Sequence, residues 1–323
     1  MRNANRFFLI TLVLISYALI GSEPVAVLTE IVGNVSYLKD EEAREWGDAQ
    51  INMPLYAGDQ LKVEDDSRVK ILFKAGKSES MSGETTYTVP DEVKKDVSVS
   101  GIFTEIWESL REKFQKSYSE ERLSKYPGIR GEDISVPVGK IISPAGTKII
   151  VESPRFIWTI DKSVKTFDIS IFRGEDRIWN AEDVKPGYQI TDTSELFETP
   201  GNYSWILVSN LNMNIQFADT GEFIVPDKSE VESIFKDVAA IERAFSDNPD
   251  TPTILLTRAT LFEQRGYISE ALDSYKRYVE VSDSSTAAIL ILSDFYYDHG
   301  FPGLAQRELL NAVEIPEELK DRW

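Results

Sequence analysis

Cysteine is absent from the 323 residues. That excludes disulfides, thiolate nucleophiles, cysteine-bound zinc and a lipid-modified N-terminal cysteine together. Histidine occurs once, as His299, so neither a histidine pair for zinc nor an HExxH helix can form. No serine stands out as a partner for a catalytic imidazole, and the position just before Gly300 marks a surface turn. Basic charge is scarce, with 35 Lys and Arg against 54 Asp and Glu and a net charge of −19. Such a surface repels nucleic acid and anionic lipid headgroups and also serves solubility. A phosphate loop is missing too: Gly76-Lys77-Ser78 imitates its end, but Ile71 stands where its first glycine belongs and no helix follows.

Acid pairs are common, at Glu41-Glu42, Glu64-Asp65-Asp66, Asp247 with Asp250, and Glu317-Glu318. Carboxylate catalysis on glycosides needs two carboxyls about 5–9 Å apart in a cleft. In so acidic a chain these acids read as solvated turn residues. No Asp-x-Asp-x-Asp-Gly loop offers a calcium site. The expectation is a protein that is not an enzyme and holds no cofactor or metal.

What is present falls into modules. The chain is too long for one ordinary domain, and its 42% hydrophobic and 11% aromatic content can fill several cores. Arg2 and Arg6 precede a fourteen-residue apolar run, Phe7 to Ile20, closed by Gly21 and Ser22. Secretory h-regions run about 7–15 residues, whereas a spanning helix needs about 20. Residues 1–22 are therefore expected to be a signal peptide, with the mature protein exported, most simply to a periplasm. An uncleaved segment anchored in the inner membrane is the alternative, and would be the chain's only membrane contact. Cleavage removes Arg2 and Arg6 and takes the net charge to −21.

Residues 25–90 alternate apolar and polar residues between Gly, Asp and Ser punctuation, as half-buried antiparallel strands do. The most regular stretch is Leu55 to Gly76. Leu61 and Val63 follow the Ala57-Gly58-Asp59 turn, and Val69, Ile71 and Phe73 follow Asp65-Asp66-Ser67, so the two runs read as a hairpin pair. Asp59 reads as the residue its corner requires. Val27 and Ile31 leading to Gly33-Asn34-Val35, then Trp46, Gly58-Asp59-x-Leu61 and Ser67-x-Val69-x-Ile71-x-Phe73, resemble the FecR domain over Val25 to Pro90. Lys74-Ala75-Gly76-Lys77-Ser78 departs from that family's usual Asp-Gly-Ser. The resemblance implies a small all-β module of bacterial cell envelopes, in some members part of signal transduction across the inner membrane.

Residues 101–133 hold an amphipathic helix and a linker. Ile102, Phe103, Ile106, Trp107, Leu110 and Phe114 fall at helical spacing, and the stripe is expected to pack on a neighbouring β domain. Residues 134–226 return to seven short strands between turn residues, which suits a β-sandwich. Phe156 with Trp158, and the Pro200-Gly201-Asn202-Tyr203-Ser204-Trp205 turn, resemble fibronectin-type or Ig-like domains. Trp158 and Trp205 are expected in its core. Residues 228–323 are helical and repeat at an offset of 34, pairing Leu255 with Ile289, Ala259 with Ser293, Phe262 with Tyr296, Gly266 with Gly300, Ala271 with Ala305 and Tyr275 with Leu309. This period and small/large order is the tetratricopeptide signature. So short an array is expected to lean on the sandwich or a partner.

Two binding surfaces follow. Leu256, Thr260, Glu263, Leu290, Asp294 and Tyr297 occupy first-helix positions that line the concave groove in tetratricopeptide families, implying a protein or peptide partner. Trp46 and Trp179 are candidates for stacking on an envelope glycan. The expectation is a multidomain exported binding or scaffold protein, with a FecR-type regulator of envelope signalling as the alternative.

Overall fold

The computed structural model describes residues 23–39, 45–91, 93, 100–118, 140–150, 154–159, 166–186, 188–190, 196–211, 214–245, 250–282 and 286–312. The leader, Glu41-Glu42, the connection over 119–139 and Trp323 lie outside them. The chain divides into two compact units, residues 1–74 with 79–94, and residues 75–78 with 95–323.

Among the described residues the first unit holds eight short strands: β1 (Ala26–Val32), β2 (Val35–Leu38), β3 (Gly47–Asp48), β4 (Pro54–Leu55), β5 (Gln60–Val63), β6 (Arg68–Phe73), β7 (Ser78–Ser82) and β8 (Thr85–Thr88). They form two four-stranded sheets, ordered β4-β1-β6-β7 and β3-β2-β5-β8. This corrects the hairpin reading of Leu55 to Gly76. β5 pairs with β2 and β8, and β6 pairs with β1, so the two alternating runs lie in different sheets. Asp66, at φ 58°, reverses the chain between them, and Ser67 Oγ accepts a hydrogen bond from the Asn34 amide at 2.9 Å. Leu61 and Val63 from one sheet and Val69, Ile71 and Phe73 from the other fill a single core. Alternation fixes which face is buried; it does not name the strand next door.

The Gly58-Asp59 corner behaves as a fastener. Gly58 takes φ 90°, where a side chain would be strained. The buried Asp59 carboxylate accepts from the Tyr56 amide at 2.8 Å and from the Tyr37 hydroxyl at 2.9 Å. Val89 closes the corner from the far end of the module, its amide donating to Asp59 O at 2.8 Å.

The second unit begins with α1 (Ser100–Tyr118) and continues into a β-sandwich. Strands β10 (Thr147–Lys148), β12 (Phe167–Arg173), β13 (Asp176–Val184), β15 (Gly201–Leu211) and β16 (Asn214–Val225) make a sheet ordered β10-β16-β15-β12-β13. Strands β9 (Ile141–Ser143), β11 (Arg155–Trp158) and β14 (Tyr188–Gln189) make the facing sheet, ordered β14-β11-β9. The core is aromatic and joins the two sheets. Phe156 stands edge-on to Trp205 at 4.8 Å, and Trp158 edge-on to Phe167 at 5.4 Å, pairings that add about 0.5–1.5 kcal/mol each beyond the area buried. Trp158 and Trp205 are both core residues, as expected. The Trp205 indole donates to Pro144 O at 2.7 Å, satisfying its one polar atom. Gly221 passes directly beneath, where a Cβ would collide with Trp205 Nε1 and Pro144 O.

The C-terminal helices are α2 (Lys228–Phe245), α3 (Pro252–Arg265), α4 (Ile268–Val281), α5 (Thr286–Asp298) and α6 (Pro302–Ala312). The offset of 34 read in the sequence recurs atom by atom at two turns. Gly266 and Gly300 both take φ 82°. The amides of Gly266 and Tyr267 donate to Glu263 O and Phe262 O, and those of Gly300 and Phe301 to Tyr297 O and Tyr296 O. This is the Schellman-type closure that glycine permits at a helix C-terminus. The α3–α4 and α5–α6 turns therefore share one closure. Among the described residues no helix is long and apolar enough to cross a membrane.

Sandwich and helices are joined at these same turns. Thr147 Oγ1 accepts from the Ile268 amide at 2.8 Å, capping α4 from another domain, and the Lys148 amide donates to Gly266 O at 2.8 Å. Lys148 sets its ammonium 5.8 Å over the Tyr267 ring and 2.6 Å from Glu230 of α2. At the next turn the Lys140 ammonium, rather than a backbone amide, donates to Gly300 O at 3.1 Å and lies 5.2 Å over the Phe301 ring. Of the two supports expected for the array, a sandwich or a partner, the sandwich contact has a specific form: one lysine at each of these two glycine turns.

Candidate partner-binding face

Helical periodicity places Leu256, Thr260 and Glu263 on one stripe of α3, because residues three and four apart share a face. Leu290, Asp294 and Tyr297 hold the matching stripe of α5. Leu256, Thr260, Leu290 and Asp294 are buried, Glu263 is largely buried, and Tyr297 is 51% exposed. The face is not empty. α1 packs on both α3 and α5, which corrects the expectation that its stripe would rest on a β domain. Phe103, Ile106, Trp107 and Leu110 are all buried, at the i, i+3, i+4, i+7 spacing of an anchoring stripe.

Polar contacts set the register of α1. Lys113 Nζ lies 2.9 Å from Glu263 Oε2 and 5.2 Å from the centre of the Tyr275 ring. Tyr275 itself donates to the same Glu263 carboxylate at 2.7 Å. Gln264 Nε2 donates to Ser109 Oγ at 2.6 Å, and Arg265 pairs with Glu105 at 3.0 Å. The sequence showed that α1 had a face to bury and that α3 had a face to fill. Neither pattern says that they belong to each other. Trp107 Nε1 is buried with no hydrogen-bond partner.

A second feature had no signal in the sequence. A cleft of about 720 Å³ opens among Ile150, Phe235, Val238, Phe262, Glu270 and Asp273. Glu270, on the first turn of α4, accepts from the Ile150 amide at 3.2 Å, while its Oε2 is buried without a partner. Burial, with the like charge of Asp273 as a smaller contribution, pushes its carboxyl up to about 7. In a chain with 54 acids nothing marked this one.

The two tryptophans differ. Trp46 is 42% exposed, just before β3. Trp179 lies within β13, where it is half-buried and packs against Tyr188 with centroids 5.9 Å apart. His299 sits at the α5 turn as expected, its ring on Phe295 at 4.3 Å and its Nδ1 2.8 Å from Phe295 O. Among the described residues no group of three or more His, Asp or Glu could hold a metal ion.

No family model matches the chain, and no curated protein does. Three solved structures are similar over parts of it. A cell surface anchoring domain is 16% identical, with 24% of this chain and 99% of that one covered at a TM-score of 0.21. The fibronectin(III)-like modules of Clostridium thermocellum CbhA are 10% identical, covering 64% and 82% at 0.20. The FN1–FN3 domains of chicken CNTN1 are 10% identical, covering 64% and 69% at 0.21. Scores this low carry no weight for fold or function; the sandwich is defined by its own sheets and core.

Proposed function

We propose that this is an exported, non-enzymatic binding or scaffold protein of a bacterial cell envelope, and that its helical repeats are the docking element. The observation that carries the reading is the seating of α1. The α3–α5 face holds an amphipathic helix by apolar anchors flanked by matched charges, which is a recurrent way of gripping a helical peptide. The 34-residue period and the repeated glycine turns support a tetratricopeptide-type array. The buried Asp59 corner supports the FecR-like reading of the first module. Export is supported by the leader-like residues 1–22, and the exposed Trp46 is the better placed of the two tryptophans for a glycan.

The test is photo-cross-linking of the full chain in its own envelope, with the reactive residue placed at Tyr297 or at Trp46. Capture at Tyr297 is expected. Capture only at Trp46 would shift the binding role to the N-terminal module, and capture at neither would remove the docking function. The alternative, a FecR-type regulator in envelope signalling, requires retention in the inner membrane with residues 1–22 uncleaved, which fractionation with N-terminal sequencing decides.

A further inference from the structure

The cleft beside Glu270 is built from three helices and the sandwich. Phe235 and Val238 come from α2, Arg258 and Phe262 from α3, Glu270 and Asp273 from α4, and Ile150 from the segment after β10. Each pair is three or four residues apart, so each helix gives one stripe. On α3 that stripe lies about half a turn from Leu256, Thr260 and Glu263, which makes the cleft a place distinct from the α3–α5 face. Phe235 is 46% exposed, whereas Val238 and Phe262 are buried.

The charges in this cleft are unequal. Arg258 is engaged, lying 3.4 Å from Glu242 and donating to Ser274 Oγ at 3.4 Å. Glu270 and Asp273 stand a turn apart on α4. Asp273 has Arg155 at 3.9 Å, with both side chains more than half exposed. Glu270 accepts from the Ile150 amide through one oxygen, while Oε2 is the one carboxylate oxygen among the described residues that is buried without a donor. We infer that the cleft binds a small organic cation, a primary ammonium on a compact apolar body. The ammonium is drawn to Glu270 and Asp273, and the body covers Phe235, Val238 and Phe262. The volume of about 720 Å³ falls within the range of small-molecule pockets, roughly 300–1,000 Å³. Three carboxylates facing one engaged guanidinium turn an anion away.

Protonation gives the ligand a signature. Burial holds the Glu270 carboxyl up at about 7, and a neighbouring cation favours its charged form. Binding therefore releases a proton, and affinity rises with pH through that range. The other charged or titratable groups facing this carboxyl are Asp273 and Tyr267 of the α4 turn, Glu242 of α2, Arg258 of α3 and Arg155 of β11.

The test is calorimetric titration of the full chain with phenethylamine, beside phenethyl alcohol and hydrocinnamate as neutral and anionic counterparts. The amine should bind saturably, about tenfold more tightly at pH 8 than at pH 5.5. At pH 8 the alcohol and the acid should bind at least about tenfold more weakly than the amine. Glu270→Gln, nearly equal in shape, should weaken the amine about tenfold at pH 8 and remove the pH dependence. Phe235→Ala, which opens no buried cavity, should weaken it about threefold at both pH values. Circular dichroism verifies that each variant keeps its helices. Equal affinity for amine and alcohol, unchanged affinity in Glu270→Gln, or no saturable binding overturns the inference. A peptide carrying adjacent phenylalanine and lysine that binds more tightly than the amine assigns the cleft to a protein side chain and overturns the small-molecule ligand. Cross-linking at Tyr297 reads a different face, so the docking function stands or falls separately.

Discussion

Replacing Glu270 with Gln should make the second unit more stable at pH 8 and leave it unchanged or slightly weaker at pH 5. In the folded chain this carboxyl is raised from an ordinary 4.5 to about 7, chiefly by burial. A carboxyl raised on folding holds its proton in the native state over a range where the unfolded chain has already lost it. Stability therefore falls as pH climbs from about 4.5 to about 7, and the full penalty is present above that window. The shift corresponds to at most about 3.5 kcal/mol at roughly 1.4 kcal/mol per unit, and the partly exposed site brings the effective penalty below that. The side-chain amide introduced by Glu270→Gln would still accept from the Ile150 amide, but its NH2 would replace an oxygen that has no partner, at a cost of about 1 kcal/mol. The net gain at pH 8 is then about 1–2 kcal/mol, or a few degrees in midpoint for a unit of this size. The other charges at the site, Asp273, Arg155, Arg258 and Glu242, are untouched. Urea unfolding at pH 5 and pH 8, followed by far-UV circular dichroism, reads the difference. The same change in free energy at both pH values would refute the argument, because a packing effect has no reason to follow protonation.

Three further outcomes are expected. Asp59→Ala leaves the Tyr56 amide and the Tyr37 hydroxyl without the carboxylate that joins them and should cost the first unit about 2–4 kcal/mol, seen as a lower denaturation midpoint with α-helical signal unaffected. Gly221→Ala forces a methyl against Trp205 and Pro144 O. It should cost about 2–3 kcal/mol and change Trp fluorescence, whereas an unchanged midpoint would mean that the sandwich yields there. Thr147→Val removes the hydroxyl that caps Ile268 and should cost about 1–2 kcal/mol; hydrogen exchange at Ile268 should speed up while Trp205 stays protected.

Features set by neighbouring residues were legible in the sequence. The offset of 34 between the two helix ends could be read because Gly266 and Gly300 are the residues that this turn geometry favours. Trp158 and Trp205 could be assigned to a core because alternation in a strand fixes a face. Pairing across the chain could not be read. Leu61 and Val69 show the same alternation whether β5 and β6 pair with each other or enter opposing sheets, and only the route of the chain at Asp66 decides. The stripe of α1 demanded a cover without naming it, and the true cover, α3 and α5, lies beyond the whole sandwich in the sequence. Glu270 was invisible for a related reason: its burial depends on Ile150 arriving from another domain.

The two sandwich lysines have a mechanical consequence. A free stack of helical repeats behaves as a spring, since each unit touches only its neighbours and small rotations between units add up. Here the Lys148 amide holds the turn at Gly266 and the Lys140 ammonium the turn at Gly300, so both helical hairpins are tied to the sandwich. Drift between the two turns would lengthen one of these contacts. The separation of residues 140 and 148 on the β-sandwich thus matches the separation of the two glycine turns of the helical array.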